Sequence, residues 1–135
     1  MKKIGVWLDK DKAHLVTLEN DKEYMETILS NIEHYRIHGG SGTRFKGGPQ
    51  DVVQDSKYLE REKHQIKKYF ENLISKIEET DALVIFGPGE IPIAFNKTLN
   101  KSHNKLSAKI KAVKKADSMT DNQVKSWVRR FFKPN

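Results

Sequence analysis

The feature that most constrains the fold is the unbroken apolar run of residues 82–86, which ends at the turn residues 87–89 (Gly-Pro-Gly). Strands that are buried on both faces of a sheet have this continuous pattern instead of an alternating one. Before the run, apolar residues recur at three and four spacing and predict an amphipathic helix over about 55–79, with Asp55 or Ser56 as its N-cap. A helix followed directly by a buried strand indicates an α/β fold.

The remaining segments predict a sheet with helices packed on it. Residues 3–8, 13–18 and 24–29 are expected to form a three-strand meander, and residues 108–113 alternate apolar with basic residues, as a strand with one wet face does. Residues 90–99 are expected to form a helix, and Thr120 and Gln123 form a capping box that opens a last one. The predicted order is β-β-β-loop-α-β-α-β-α, a mixed sheet in one domain over 1–135.

Charge is distributed unevenly along the chain. The net charge is +7, but residues 96–135 hold eleven Lys and Arg against two Asp, a net +9, which leaves −2 for residues 1–95. This asymmetry favours an anionic partner, nucleic acid first, over the alternative of a merely lysine-rich surface. The chain has no cysteine and no apolar stretch of membrane-spanning length, so we expect a cytoplasmic protein.

Residues 35–55 predict a long loop that holds five of the eight glycines and is basic at its centre. Glycines let backbone N–H groups approach a phosphate closely, and a loop of this length is otherwise a flexible surface insertion. The loop has no Gly-Lys-Ser/Thr ending and therefore is not a Walker motif.

Other kinds of site find little support in the sequence. His34 and His38 lack the helical carboxylate motif of a metal site, no catalytic triad or carboxylate pair can be singled out, and no cofactor is predicted. The turn of residues 87–90 lies where α/β sheets place ligands, but Glu90 disfavours an anion there and a tight turn is the favoured interpretation.

Several short motifs together resemble the middle domain of the eukaryotic and archaeal class-1 release factor and of its relative Pelota, over residues 3 to about 132. They are His38-Gly39-Gly40, Arg44-Phe45, Glu62-Lys63-His64, the strand 83–87 and the segment 87–90, which resembles the bacterial proteins of this superfamily. The resemblance implies the ribonuclease H-like fold of translational-machinery components. It also implies that the loop is presented toward the ribosomal peptidyl-transferase centre or a tRNA acceptor end.

The release motif of that domain, Gly-Gly-Gln, is interrupted in this chain. Residues 47–50 read Gly-Gly-Pro-Gln. Proline fixes φ and removes one N–H, so Gln50 does not simply take the geometry of the release glutamine. We therefore expect binding to ribosome or tRNA more than hydrolysis. The alternatives are a peptidyl-tRNA hydrolase that uses Gln50 and a protein-interaction module without RNA binding.

The candidate RNA-binding residues form two groups. The first lies in the loop and the second near the C-terminus, where Trp127, Phe131 and Phe132 either stack on bases or, as the helical spacing favours, pack in the core. The candidates are Arg36, His38, Gly39, Gly40, Arg44, Lys46, Gly47, Gly48 and Gln50 in the loop, and Lys111, Lys114, Lys115, Arg129 and Arg130 in the C-terminal region.

Overall fold

The computed structural model describes residues 1–32 and 48–133, and for residues 48–60 it describes the backbone. Five strands and four helices lie in these ranges. They are β1 (Lys2–Leu8), β2 (Lys12–Glu19), β3 (Lys22–Leu29), α1 (Gly48–Ile77), β4 (Ala82–Gly87), α2 (Ile91–Ser102), α3 (Asn104–Ser107), β5 (Ile110–Lys115) and α4 (Asp121–Phe132).

The strands form one mixed sheet in the order β3-β2-β1-β4-β5. The first three strands are an antiparallel meander, whereas β4 is parallel to β1 and β5 is parallel to β4. All six residues of β4 are buried, as its continuous apolar sequence predicts for a central strand. The predicted α/β class with a mixed sheet is confirmed.

Helices α1 and α2 cover one face of the sheet. Leu73 and Ile77 of α1 and Leu99 of α2 are fully buried against apolar residues of β1, β2 and β4. The rings of Phe70 and Phe95 meet at 5.0 Å and join the two helices. Only the last third of α1 contributes buried residues to this core in the part whose side chains are described.

Helix α4 covers the other face, and its position depends on a glycine. Val124 and Val128 are buried there together with Trp7, Val16 and Phe86. A Cβ atom on Gly5 would lie 2.9 Å from Cγ1 of Val128 and closer still to its Cγ2. Gly5 therefore lets the helix approach β1 more closely than any other residue type would.

The N-terminus of α4 is capped as the sequence predicts. The Thr120 hydroxyl accepts a hydrogen bond from the backbone N–H of Gln123, and the Gln123 side chain accepts one from the backbone N–H of Thr120. This reciprocal pair satisfies two N–H groups that the helix itself leaves without partners.

The structure corrects several predicted boundaries. Helix α1 begins at Gly48, so an N-cap at Asp55 or Ser56 was wrong and residues 48–55 are helical instead of part of the loop. Glycine and proline in residues 47–49 favour a loop by composition, yet proline fits a first helical turn because its missing N–H has no partner there. The short helix α3 was not predicted, and β5 begins two residues later than expected.

We predict that Gly5→Ala destabilises the protein by about 1–3 kcal/mol, the usual cost of overpacking a core. Val128 has little freedom to yield, since valine in a helix keeps one strongly preferred rotamer. Urea unfolding of Gly5→Ala, Val128→Ala and the double variant measures this effect. The double variant should lose less stability than the two single losses added together, and strict additivity would contradict the close approach.

Candidate nucleic-acid interface

The predicted loop residues fall mostly outside the described part of the chain. Arg36, His38, Gly39, Gly40, Arg44, Lys46 and Gly47 lie outside it. Gly48 and Gln50 lie in the first turn of α1, as far as the backbone describes them. The Gly-Pro-Gln sequence therefore starts a helix.

The three predicted lysines of β5 lie on an edge strand and are all exposed. Lys114 is paired with Phe86 of β4 and therefore lies on the face that α4 covers, while Lys115, paired with Gly87, points to the opposite face. The Nζ atom of Lys115 is 3.9 Å from Oε2 of Glu90, and both side chains are mostly exposed. Such a pair contributes little stability, so the charge of Lys115 remains accessible to an anion.

The two predicted arginines of α4, Arg129 and Arg130, do not lie with these lysines on β5. Nε of Arg129 forms an ion pair with Oε1 of Glu23 on β3, at a distance of 2.8 Å. Because β3 and β5 are opposite edges of the sheet, four strand spacings, about 19 Å, separate them. Arg129 is thus partly neutralised and directed away from the lysines, and Arg130 is exposed beside it in α4.

The three C-terminal aromatic residues have different surroundings. The ring of Trp127 stacks on buried Phe86 with centroids 3.8 Å apart and planes at 11°. Phe131 stacks on the outer side of this pair, 5.6 Å from Trp127 and at 4° to it. Trp127 and Phe132 pack against the core cluster, which confirms the predicted packing role for these two; Phe131 reaches it through Trp127.

Sequence reasoning missed a cleft of about 770 Å³ between the β2–β3 turn and the end of α4. Arg129 and Arg130 line it together with Lys3, whose Nζ lies 5.9 Å above the ring of Phe132. Acidic residues of the β2–β3 turn region, Glu19 and Asp21, line it as well. No pattern within a short stretch of sequence predicts this cleft, because it is lined by residues of β1 and α4, which lie at opposite ends of the sequence.

The turn after β4 is built for close packing. Gly87 has φ +148°, and a Cβ atom there would collide with the carbonyl oxygen of Leu8 at the end of β1. Gly89 also has a positive φ, and Glu90 precedes α2 as an exposed carboxylate. These features favour the tight-turn interpretation, because a carboxylate at a helix N-terminus competes with any anionic ligand.

His14 is a buried ionisable residue beneath α4. Its Nδ1 lies 2.8 Å from the hydroxyl of Thr27, its ring stacks on Trp7 at 5.3 Å, and its Nε2 is 3.6 Å from Oδ1 of Asp121 without a hydrogen bond. Burial lowers the pKa of His14, and Lys12 lowers it further, whereas Asp121 and Asp9 oppose the shift. The imidazole is closed off from solvent and serves the packing of α4 on the sheet.

Two further properties of the described residues bear on function. None of their helices is both long and apolar enough to cross a membrane. Within the same residues, no three His, Cys, Asp or Glu side chains are grouped so as to hold a metal ion.

Comparison with solved structures shows which proteins share this fold. An archaeal translation termination factor, aRF1, superposes with a TM-score of 0.58 at 14% identity, over 98% of this chain and 35% of the other. Pelota of Archaeoglobus fulgidus gives 0.57 at 12% identity, over 97% and 31%. Pelota of Thermoplasma acidophilum gives 0.55 at 13% identity, over 95% and 32%.

This chain spans about a third of the length of each of these proteins. No protein-family model and no curated protein matches its sequence. The common property is the fold, and the predicted likeness to release factor and Pelota is confirmed at that level. Correspondence to the middle domain in particular stays a prediction.

We predict that His14 makes the protein less stable in acid. A histidine whose pKa is lowered by folding contributes stability that is complete above its unfolded pKa, about 6.5, and is lost as the pH falls toward the lower folded value. Urea unfolding at about pH 7.5 and about pH 5 should show a smaller loss in His14→Phe than in wild type, because phenylalanine keeps the ring without the charge.

The control for this measurement is His64→Phe, which removes an exposed histidine from α1. It should lose as much stability between the two pH values as wild type does. An equal loss in wild type and His14→Phe would contradict the assignment of the effect to His14.

Proposed function

We propose that this protein is a translation-associated RNA-binding protein that contacts the ribosome or tRNA through residues 36–50, from the predicted loop into the first turn of α1, and through the basic end of β5. The observation that carries the proposal is the fold, which this chain shares with an archaeal translation termination factor. The exposed lysines of β5 and the net charge of +9 in residues 96–135 supply the affinity for phosphate.

The topology supports joint use of the loop and the lysines. Strands β1, β3, β4 and β5 all run in the same direction, so their carboxyl ends lie along one side of the sheet. Leu29 ends β3 on this side, before the predicted loop, and Lys115 ends β5 on the same side. We call this the carboxyl edge. The loop therefore leaves the sheet at the edge where Lys114 and Lys115 are exposed.

Helix α1 begins beyond the same edge of the sheet. The Tyr69 hydroxyl donates to the carbonyl oxygen of Asp9, just after β1, and Thr80, which follows α1, donates to the carbonyl of Lys2 at the other end of β1. The helix thus runs down the sheet from the carboxyl edge. Its 30 residues measure about 45 Å, of which the buried part from Tyr69 to Ile77 uses about 12 Å, so its N-terminal half extends past this edge.

Tyr69 is well suited to fix this direction. Burial, with the charges of Asp9 and Asp11, raises the pKa of its phenol above the ordinary value of about 10. The hydroxyl therefore remains a hydrogen-bond donor at every physiological pH. It holds α1 against the carboxyl end of β1.

We predict that the triple replacement Lys111→Glu, Lys114→Glu, Lys115→Glu weakens RNA binding and flattens its salt dependence. Each lost phosphate contact reduces the magnitude of the slope of log K against log salt by about 0.7 to 0.9, so three lost contacts reduce it by about 2 to 3. Filter binding to tRNA across a salt series measures both quantities.

The matched control is Lys22→Glu, Lys101→Glu, Lys105→Glu, which changes the net charge equally at exposed lysines away from the basic end of β5 and from the carboxyl edge. It should leave the slope close to that of wild type. Equal losses in both variants would mean that net charge alone decides binding and that β5 is no interface.

Ribosome association has a direct test in sedimentation of the tagged protein through a sucrose gradient at low salt. We expect the protein in ribosomal fractions and a loss from them with the β5 triple variant. Its absence there, together with no shift of tRNA in a gel, would overturn the proposal. Co-purification of one protein without RNA would instead favour an interaction module.

The shared fold with a termination factor also raises peptidyl-tRNA hydrolysis as a second candidate. Gln50 lies in the first turn of α1, directly after a proline, which argues against the geometry of a release glutamine. We therefore predict no release of peptide from peptidyl-tRNA by wild type or by Gln50→Ala, with tRNA binding equal within about twofold. If wild type releases peptide and Gln50→Ala does not, the protein is a peptidyl-tRNA hydrolase instead.

A further inference from the structure

The aromatic stack of α4 leads from the core to the protein surface. Phe86 is fully buried, Trp127 is half-buried on top of it, and Phe131 is half-buried at the outer end. Trp127 covers one face of the Phe131 ring, and Phe132 meets that ring edge-on at 88°. No other described ring stacks on Phe131, so an aromatic residue is present at a position where the core does not require one.

On this face of the sheet, β5 is covered by no described helix, whereas Val84 and Phe86 of β4 are fully buried. Val124 and Val128 hold α4 over β1 and β2, and no other described helix packs on this face. Val84 and Phe86 of β4 are paired with Ala112 and Lys114 of β5, which therefore lie on the same face, one strand spacing of about 4.8 Å away. We call the surface formed by Phe131 and by Ala112 and Lys114 of β5 the ledge.

The ledge carries one available positive charge. Lys114 is exposed and has no acidic partner at ion-pair distance in residues 1–32 and 48–133. Arg129 and Arg130, by contrast, line the cleft at the β2–β3 turn, and Arg129 is held there by Glu23. An aromatic ring at the surface beside a free cation is a combination that binds single-stranded nucleic acid, with a base on the ring and a phosphate at the charge.

We propose that this ledge binds single-stranded RNA, with one unpaired base stacked on Phe131 and a neighbouring phosphate at Lys114. The inference rests on the proposed RNA-binding function and specifies its ligand as an unpaired strand. Lys114 lies near the carboxyl edge, whereas Phe131 lies toward the other end of the sheet, because α4 begins beside His14 and ends beside Lys3. The strand would therefore run along β5 away from the loop.

The test measures the affinity of a labelled single-stranded RNA 12-mer by fluorescence anisotropy, with 2-aminopurine in the same sequence as a probe of stacking. One stacked base changes affinity by about 5- to 150-fold. We expect that loss in Phe131→Ala and Phe131→Leu, together with a loss of 2-aminopurine quenching, and near wild-type affinity in Phe131→Trp. A duplex of the same sequence, whose bases are paired, should bind all variants within about twofold.

Tyr24→Ala is the matched control, since Tyr24 is an exposed aromatic residue on the opposite face at the far edge, where its pairing with Thr17 and Ile4 places it. If wild type, Phe131→Ala and Phe131→Leu bind the single-stranded RNA with equal affinity, the ledge is overturned and the proposed function stays intact. If wild type binds neither the single-stranded RNA nor the duplex at low salt, both the ledge and the proposed function are overturned. If Phe131→Ala fails to fold, Phe131→Leu decides, because leucine keeps most of the apolar volume without a stacking face.

Discussion

The packing of α4 across Gly5 is the contact on which the rest of the structure depends. One face of the sheet is shared by α1 and α2. On the other face, α4 is the only described helix over Trp7, Val16 and Phe86, and Ala116 and Met119 of the segment before it pack beside it. The missing side chain of Gly5 brings Val128 close enough to close that face. The same contact orients Trp127 toward Phe86, so the position of the aromatic stack follows from a glycine on β1.

Much of the fold follows from local patterns in the sequence. The apolar run of β4 predicts its central position, because only a strand covered on both faces excludes polar residues. Thr120 and Gln123 predict the start of α4, since a capping box requires only neighbouring residues. The start of α1 was missed because glycine and proline signal a loop and a helix N-terminus equally well, and a choice between them needs the tertiary setting of Gly48.

The candidate interface was predictable in part. The alternation of apolar and basic residues in 108–113 predicts the exposure of Lys111, as a half-buried strand sorts its side chains by period two. Lys114 and Lys115 follow that stretch on opposite faces, and both are exposed because β5 is an edge strand. The pairing of Arg129 with Glu23 depends on the placement of α4 next to β3, which no spacing within α4 encodes. Phe131 follows Trp127 by four residues, so helical spacing predicts the same packing role for both rings. Only the order in which the rings stack in the structure shows that Trp127 packs on the core and that Phe131 lies nearer the surface.

The parallel pairing of β1 with β4 has a consequence for how the chain folds. The meander of β1, β2 and β3 joins residues near in sequence, but Lys3 and Ala82 are paired across 79 positions that include the glycine-rich loop and α1. We expect the meander to form early and β4 to join it late, since distant pairing waits for chain closure. The entropy of closure grows only slowly with length, by about 0.6 kcal/mol for each doubling. The loop between β3 and α1 is therefore free to change length in evolution at little thermodynamic cost to the sheet.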